Sequence, residues 1–143
     1  MSSHQTFDPR SRIEAYFATC NDGSAGDIAG HFTADAVIYD SNLDPCRGSD
    51  AIGAMWVKVR QRWGGARWSV DTAVGDAMAD GTAAIEWTMR GSDPRAGDRR
   101  FAFRGSEHYR FDGTLIAEIR QYWTFDPERL DTGLLGYGYP PTV

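Results

Sequence analysis

Ile13, Tyr16, Phe17 and Cys20 stand at i, i+3, i+4 and i+7, the spacing of one buried helical face. Asp8 followed by Pro9 supplies a start for this helix, and Asn21-Asp22-Gly23 supplies its end. Residues 24–32 predict a shorter second helix with Ile28 and Phe32 turned inward, and residues 36–40 predict a strand. Ser49-Asp50 then opens a third helix whose stripe is Ile52, Met55, Trp56, Val59 and Trp63, closed by Gly64-Gly65. Beyond it the period drops to two. Trp68, Val70, Thr72 and Val74 share one face, and after an Asp80-Gly81 turn Ile85, Trp87 and Met89 share another, which predicts a hairpin. A charged loop over 90–100 leads to a strand over 101–111, and Asp112-Gly113 turns it into a last strand over 115–125. Three helices interrupted by one short strand and followed by an antiparallel meander define an α+β domain, helices on one face of the sheet. No repeat or linker interrupts it, so residues 1–143 read as a single domain.

Composition narrows what such a domain is for. At 143 residues, with 41% hydrophobic and 13% aromatic positions, the chain buries a full core. Five tryptophans exceed what a helix–sheet interface requires, which points to a cavity lined by aromatic side chains. The net charge is −5, Lys58 is the only lysine and no basic run occurs. Nucleic acid and anionic membrane surfaces therefore lack an electrostatic footprint as partners, and a small apolar substrate is the expected ligand. No apolar run reaches membrane-spanning length and the N-terminus carries no apolar leader, so a cytoplasmic protein is expected. Cys20 and Cys46 lie at no metal-ligand spacing and read as free thiols. Zinc-protease, nucleotide-loop and nucleophile-elbow patterns are absent from the sequence, so the expected chemistry uses no metal and no cofactor.

The strand over 101–111 holds the first candidate for that chemistry. Alternation sends Phe101, Phe103, Gly105, Glu107, Tyr109 and Phe111 to one face, and Arg104, His108 and Arg110 to the other. Glu107 is thus an acid among apolar neighbours, where burial raises a carboxyl pKa unless an arginine such as Arg104 or Arg120 pairs with it. Asp40 is the second candidate. It ends an apolar strand and runs into Ser41-Asn42, either as a turn former or as a base at the rim of a pocket.

The stretch YFATCNDGSAGDIAGHFTADAVIYD, the segment SEHYRF and the closing GTLIAEIRQYWTF together resemble the ketosteroid isomerase and SnoaL-like polyketide cyclase group of the nuclear-transport-factor-2-like superfamily. The resemblance runs from about Ile13 to Phe125. It implies a cone, three N-terminal helices packed on a curved antiparallel sheet, with a pocket at the open end. It also implies roles. Ketosteroid isomerases combine an aspartate base with an oxyanion hole made by a tyrosine and a protonated aspartate, which places Asp40 as the base and Tyr16 and Glu107 as donors. Glutamate at 107 departs from the isomerase pattern by one methylene. The cavity wall is expected from Met55, Trp56, Trp63, Trp87, Phe103, Tyr109 and Trp123.

Two functional classes follow. One is an acid–base enzyme, an isomerase or polyketide cyclase type, that removes a proton beside a carbonyl and stabilises the enolate. The other is a non-catalytic small-molecule-binding or dimerisation module on the same fold, and a dehydratase or epoxide-hydrolase type relative stands beside both. Asp44, His31 and His108 compete with Asp40 for the base. A homodimer is expected through the outer sheet face, where Ala102, Ser106, Ile116 and Tyr122 sit among charges.

Overall fold

The computed structural model describes residues 7–76 and 80–123. Helix α1 (Pro9–Asp22) starts as its sequence dictates, Asp8 accepting from the Arg10 backbone N–H, and it buries Ile13, Tyr16, Phe17 and Cys20. A capping box at Ser24 opens the short α2 (Ala25–Ala29), which buries Ile28. Strand β1 (Phe32–Asp40) begins four residues before its predicted start, and a two-residue β2 (Cys46–Arg47) pairs with it. Helix α3 (Ser49–Arg62) has no side-chain cap; it starts from Gly48 at φ +92°, a backbone conformation open to glycine, rather than from the predicted Ser49-Asp50 cap.

The meander is longer than its sequence pattern suggests. Gly64-Gly65 begins β3 (Gly64–Gly75) instead of serving as a helix cap, and β4 (Thr82–Asp93) and β5 (Arg99–Asp112) extend through the predicted charged loop to a tight 3₁₀ turn at Pro94–Ala96. With β6 (Leu115–Trp123), the six strands run in the order β2-β1-β6-β5-β4-β3. All neighbours are antiparallel except β1 and β6, which run parallel, so the chain returns at its end to lie beside its first strand.

Two irregularities change which side chains face inward. A register shift between Val70 and Thr72 takes Asp71 out of the pairing with β4, its carboxylate accepting instead from the Thr88 hydroxyl, and Val74, predicted inward, is 71% exposed. A second shift between Arg110 and Phe111 brings Ile116 to full burial while Leu115, assigned to the inner face by alternation, is exposed. Ile116 therefore leaves the outer face to which alternation assigned it. The three helices cover the concave face of the curved sheet, and the core gathers there around Tyr16, Ile28, Ile52, Phe111 and Ile119. No helix of the described residues is long and apolar enough to cross a membrane. Phe125 and the Gly/Tyr/Pro-rich tail lie outside the described residues.

Candidate active site

All five tryptophans converge on one cavity of about 70 Å³. Trp56 comes from α3, Trp63 from the residue after it, Trp68 from β3, Trp87 from β4 and Trp123 from β6, joined by Met55, Met89, Ile38 and Val59. The polar atoms at its wall come from Asp40, Asp44, Cys46 and Gln121. Trp63 is fixed where α3 ends, its ring lying 4.0 Å from the Arg62 guanidinium, which in turn holds the buried Asp93 at 2.9 Å. Trp87 lies flat over Gly105, where a Cβ would meet its ring at 2.3 Å; only glycine leaves it that room.

Asp40 stands at the rim of this cavity because it ends β1 directly opposite Gln121 of β6. Its carboxylate accepts from Gln121 Nε2 at 2.8 Å, from Trp123 Nε1 at 3.0 Å and from the Asn42 backbone N–H at 2.7 Å. The Asx turn to Asn42 is the turn-former reading of this residue, and the contacts to Gln121 and Trp123 are the pocket reading. Both hold at once. Asp44 also lines the cavity, on an exposed stretch.

Glu107 is 1% exposed, and its partner is Tyr109, whose hydroxyl donates to Oε2. The alternative of an arginine pair, with Arg104 or Arg120, is not what the structure has at Glu107. Arg104 lies in an outer-face groove with Glu86 and Tyr122, and Arg120 approaches Glu118 at 3.4 Å. Burial, with the charge of Asp40 in support and the Tyr109 hydrogen bond opposing, pushes the Glu107 carboxyl up to about 8. Tyr16, fully buried, is raised well above the ordinary tyrosine range, first by burial and then by Cys20 and Glu107, with the Trp56 indole pulling the other way. Tyr16 and Glu107 thus share one buried cluster with Tyr109 and Cys20 on the concave side of the sheet.

That cluster lies behind the cavity, not in its wall. Of the residues expected to line the pocket, Met55, Trp56, Trp63, Trp87 and Trp123 do; Phe103 and Tyr109 do not. Phe103 packs against Phe101, Trp63 and Trp123, and Tyr109 is occupied by Glu107. Asp40 lines it, whereas Tyr16 and Glu107 sit one layer deeper, in contact with wall residues: Tyr16 with Trp56 at 6.3 Å between ring centroids, and Glu107 directly opposite Gln121 across β5 and β6. His31 binds Thr19 Oγ1 at 2.9 Å and His108 is exposed beside Tyr122 on the outer face, so neither reaches the cavity. Gln121 was visible in sequence as a polar position on the apolar face of β6, the same signal that singled out Glu107. Trp68 was equally visible on the inner face of β3, but nothing in its spacing assigned it to a wall. Among the described residues no group of three His, Cys, Asp or Glu side chains is arranged to hold a metal ion.

Helices wrapped by a curved sheet, with an aromatic cavity and a carboxylate at its rim, are the architecture of the nuclear-transport-factor-2-like superfamily. Within it, residues 13–119 match the SnoaL-like domain, and the chain belongs to that family. A protein of ketosteroid isomerase-like fold from Catenulispora acidiphila, in complex with trimethylamine, aligns with a TM-score of 0.73 at 17% identity over 85% of this chain and 92% of its own. A protein of unknown function from Methylobium petroleophilum, described as having a cystatin-like fold, aligns at 0.68 with 27% identity over 96% of both chains. The epoxide hydrolase/cyclase-like enzyme SalBIII, of pyran ring formation in the polyether salinomycin, aligns at 0.68 with 16% identity over 81% of this chain and 90% of its own. No curated protein matches the chain.

Proposed function

We propose that the protein is a cofactor-free acid–base enzyme acting on a small, largely apolar carbonyl compound. Asp40 removes a proton from the carbon beside the carbonyl, the C–H electron pair moves into a carbon–carbon double bond, and the carbonyl oxygen takes the negative charge. The donors to that oxygen in this reading are Tyr16 and the protonated Glu107, which the ligand reaches past the wall residues Trp56 and Gln121 that stand in front of them. The proton then returns from Asp40 at another carbon, giving an isomer, or the enolate carbon attacks a second carbonyl in the molecule, giving a ring whose new alkoxide oxygen takes up that proton. The observation that carries this reading is the pairing of two acids in unlike surroundings: Asp40 at the cavity rim held by three N–H donors, Glu107 in the dry layer behind it with its pKa near 8. Membership of the SnoaL-like family and the likeness to a cyclase-like enzyme support it.

The test is deuterium exchange into a small enolisable ketone, cyclohexanone, in heavy water. The protein should accelerate exchange at the α-carbon, and Asp40→Asn should lower that rate by about 10²–10⁴-fold, the usual loss of a general base. Exchange no faster than in buffer, or unchanged in Asp40→Asn, contradicts the reading.

A second reading, a binding module for a small organic ammonium, is favoured by one observation. The cavity wall holds five tryptophans and two aspartates and no arginine, lysine or histidine, a lining suited to a cation, and one structural relative is in complex with trimethylamine. Saturable binding of tetramethylammonium without any ketone exchange would establish it over the first.

A further inference from the structure

The charges around the tryptophan cavity are one-sided. Its wall holds the carboxylates of Asp40 and Asp44 and no basic side chain. The arginines of the neighbouring elements are engaged elsewhere. Arg60 donates to the Cys20 and Gly23 carbonyls at 2.8 Å, Arg47 lies over the Tyr39 ring, and Arg62, stacked on Trp63, is paired with the buried Asp93. The two wall carboxylates differ in kind. Asp40 accepts from three N–H groups, whereas the Asp44 carboxylate has no hydrogen bond and no ion pair among the described residues. Asp44 is nevertheless held in place. Ser41 and Asn42 donate to the Trp123 carbonyl at 3.1 and 2.9 Å, and Cys46 pairs with Ile38, so the segment that brings Leu43 and Asp44 to the cavity is anchored at both ends. A carboxylate kept at the edge of an apolar cavity opposes any anion and adds nothing to the binding of a neutral hydrocarbon. For a cation it adds to the attraction of the indoles, the strongest that an aromatic side chain offers to an ammonium.

We propose that the ligand of this cavity carries a positively charged amine, a quaternary or protonated alkylammonium, held among the indoles with Asp44 as its counter-charge. One molecule then carries both the ammonium and the carbonyl. In turnover, which rests on Asp40 acting as the base, the substrate class is an amino ketone: the ammonium takes the Asp44 side of the rim, and the carbon between it and the carbonyl lies toward Asp40. The positive charge beside that carbon stabilises the negative charge that develops as its proton leaves. Discrimination comes from Asp44, because a wall of indoles alone would accept a hydrocarbon of the same shape.

The experiment compares two ligands of one skeleton, 1-(trimethylammonio)propan-2-one and 4,4-dimethylpentan-2-one, in which a carbon replaces the charged nitrogen. Each is titrated at constant ionic strength into the full ¹⁵N-labelled chain, and affinity is read from saturable shifts of the indole N–H resonances. The cation should bind about 10-fold more tightly than the neutral ketone. In Asp44→Asn that preference should shrink by about 2–5-fold, the effect of losing one rim charge. Asp98→Asn makes the same change in net charge at a position outside the cavity and should leave the preference in place. Equal or tighter binding of the neutral ketone overturns the proposal, and so does a preference that survives in Asp44→Asn or falls equally in Asp98→Asn. Deuterium exchange into cyclohexanone separates this result from the acid–base reading. A cation preference that depends on Asp44, without exchange, upholds the ammonium site and removes the base. Exchange that depends on Asp40, with the neutral ketone preferred, does the reverse.

Discussion

Glu107 shows how a single side chain links stability to chemistry. With its carboxyl raised from 4.5 to about 8, the folded state holds a proton that the unfolded chain releases. The folded state is thus favoured most below pH 4.5, and that advantage is lost progressively as pH rises to about 8. The slope is about 1.4 kcal/mol per pH unit across that window. Glu107→Gln, which keeps a hydrogen-bonding side chain of the same shape and cannot ionise, should flatten the dependence; urea denaturation at a series of pH values measures it. An unchanged slope would mean that Glu107 ionises freely. At this scale the sequence was informative where a residue broke a pattern. Glu107 stood alone on an apolar face, and Asp40 ended an apolar strand. That Tyr109, two residues on and therefore on the same face, would be the partner of Glu107 in place of an arginine also followed from alternation, but a hydroxyl acting as donor to a neutral acid leaves no charge pattern to notice. The depth of Tyr16 and Glu107 relative to the cavity wall was not legible, since a period of two tells which face a residue is on and not how many layers cover it.

Helix α1 followed its sequence to within a residue at each end because its cap, its first-turn proline and its stripe all agree. Strand β3 left its pattern past the shift between Val70 and Thr72, and β6 only in its first two residues, because a bulge switches the face of the residues on one side of it and leaves no mark in composition. Val74, Leu115 and Ile116 are the residues for which this reversed the expectation. The contact between α2 and α3 gives a sharp prediction. A Cβ on Gly53 would meet the Ala25 carbonyl oxygen at 2.2 Å, and since that is backbone it has no rotamer to turn away. Gly53→Ala should therefore lower stability by about 1–3 kcal/mol in spite of alanine's better helix propensity. At Gly26 in α2 the nearest atom to such a Cβ is Ser24 Oγ at 3.9 Å, so Gly26→Ala should be neutral or stabilising by up to about 1 kcal/mol. Thermal or urea unfolding of the two variants side by side checks the contrast.

The whole molecule is a one-sided structure: the concave face of the sheet is spent on the helices and the cavity, and the outer face carries Ala102, Ser106 and the 54% exposed Tyr122 among charges. We propose a two-fold dimer through this face, even with Ile116 turned inward; sedimentation should give twice the chain mass at micromolar concentration, and Tyr122→Glu should shift it towards monomer. A monomer at that concentration contradicts it. The fold class was legible from the order of elements, three helices and then a meander, but the closing of the sheet by parallel pairing of β1 with β6 joins residues some 80 positions apart, Asp40 with Gln121, and no local pattern announces it. That pairing is what puts the Asp40 carboxylate at the cavity rim, one layer in front of the buried Glu107. The account stands on Glu107 keeping its proton in that buried layer. The most direct measurement is a carbon NMR titration of the Glu107 side-chain carboxyl in chain labelled at the glutamate δ-carbon, with the peak assigned by its loss in Glu107→Gln. The account predicts a midpoint near 8, with Glu107 still largely protonated at neutral pH; a midpoint near 4.5, that of an ordinary glutamate, would contradict it.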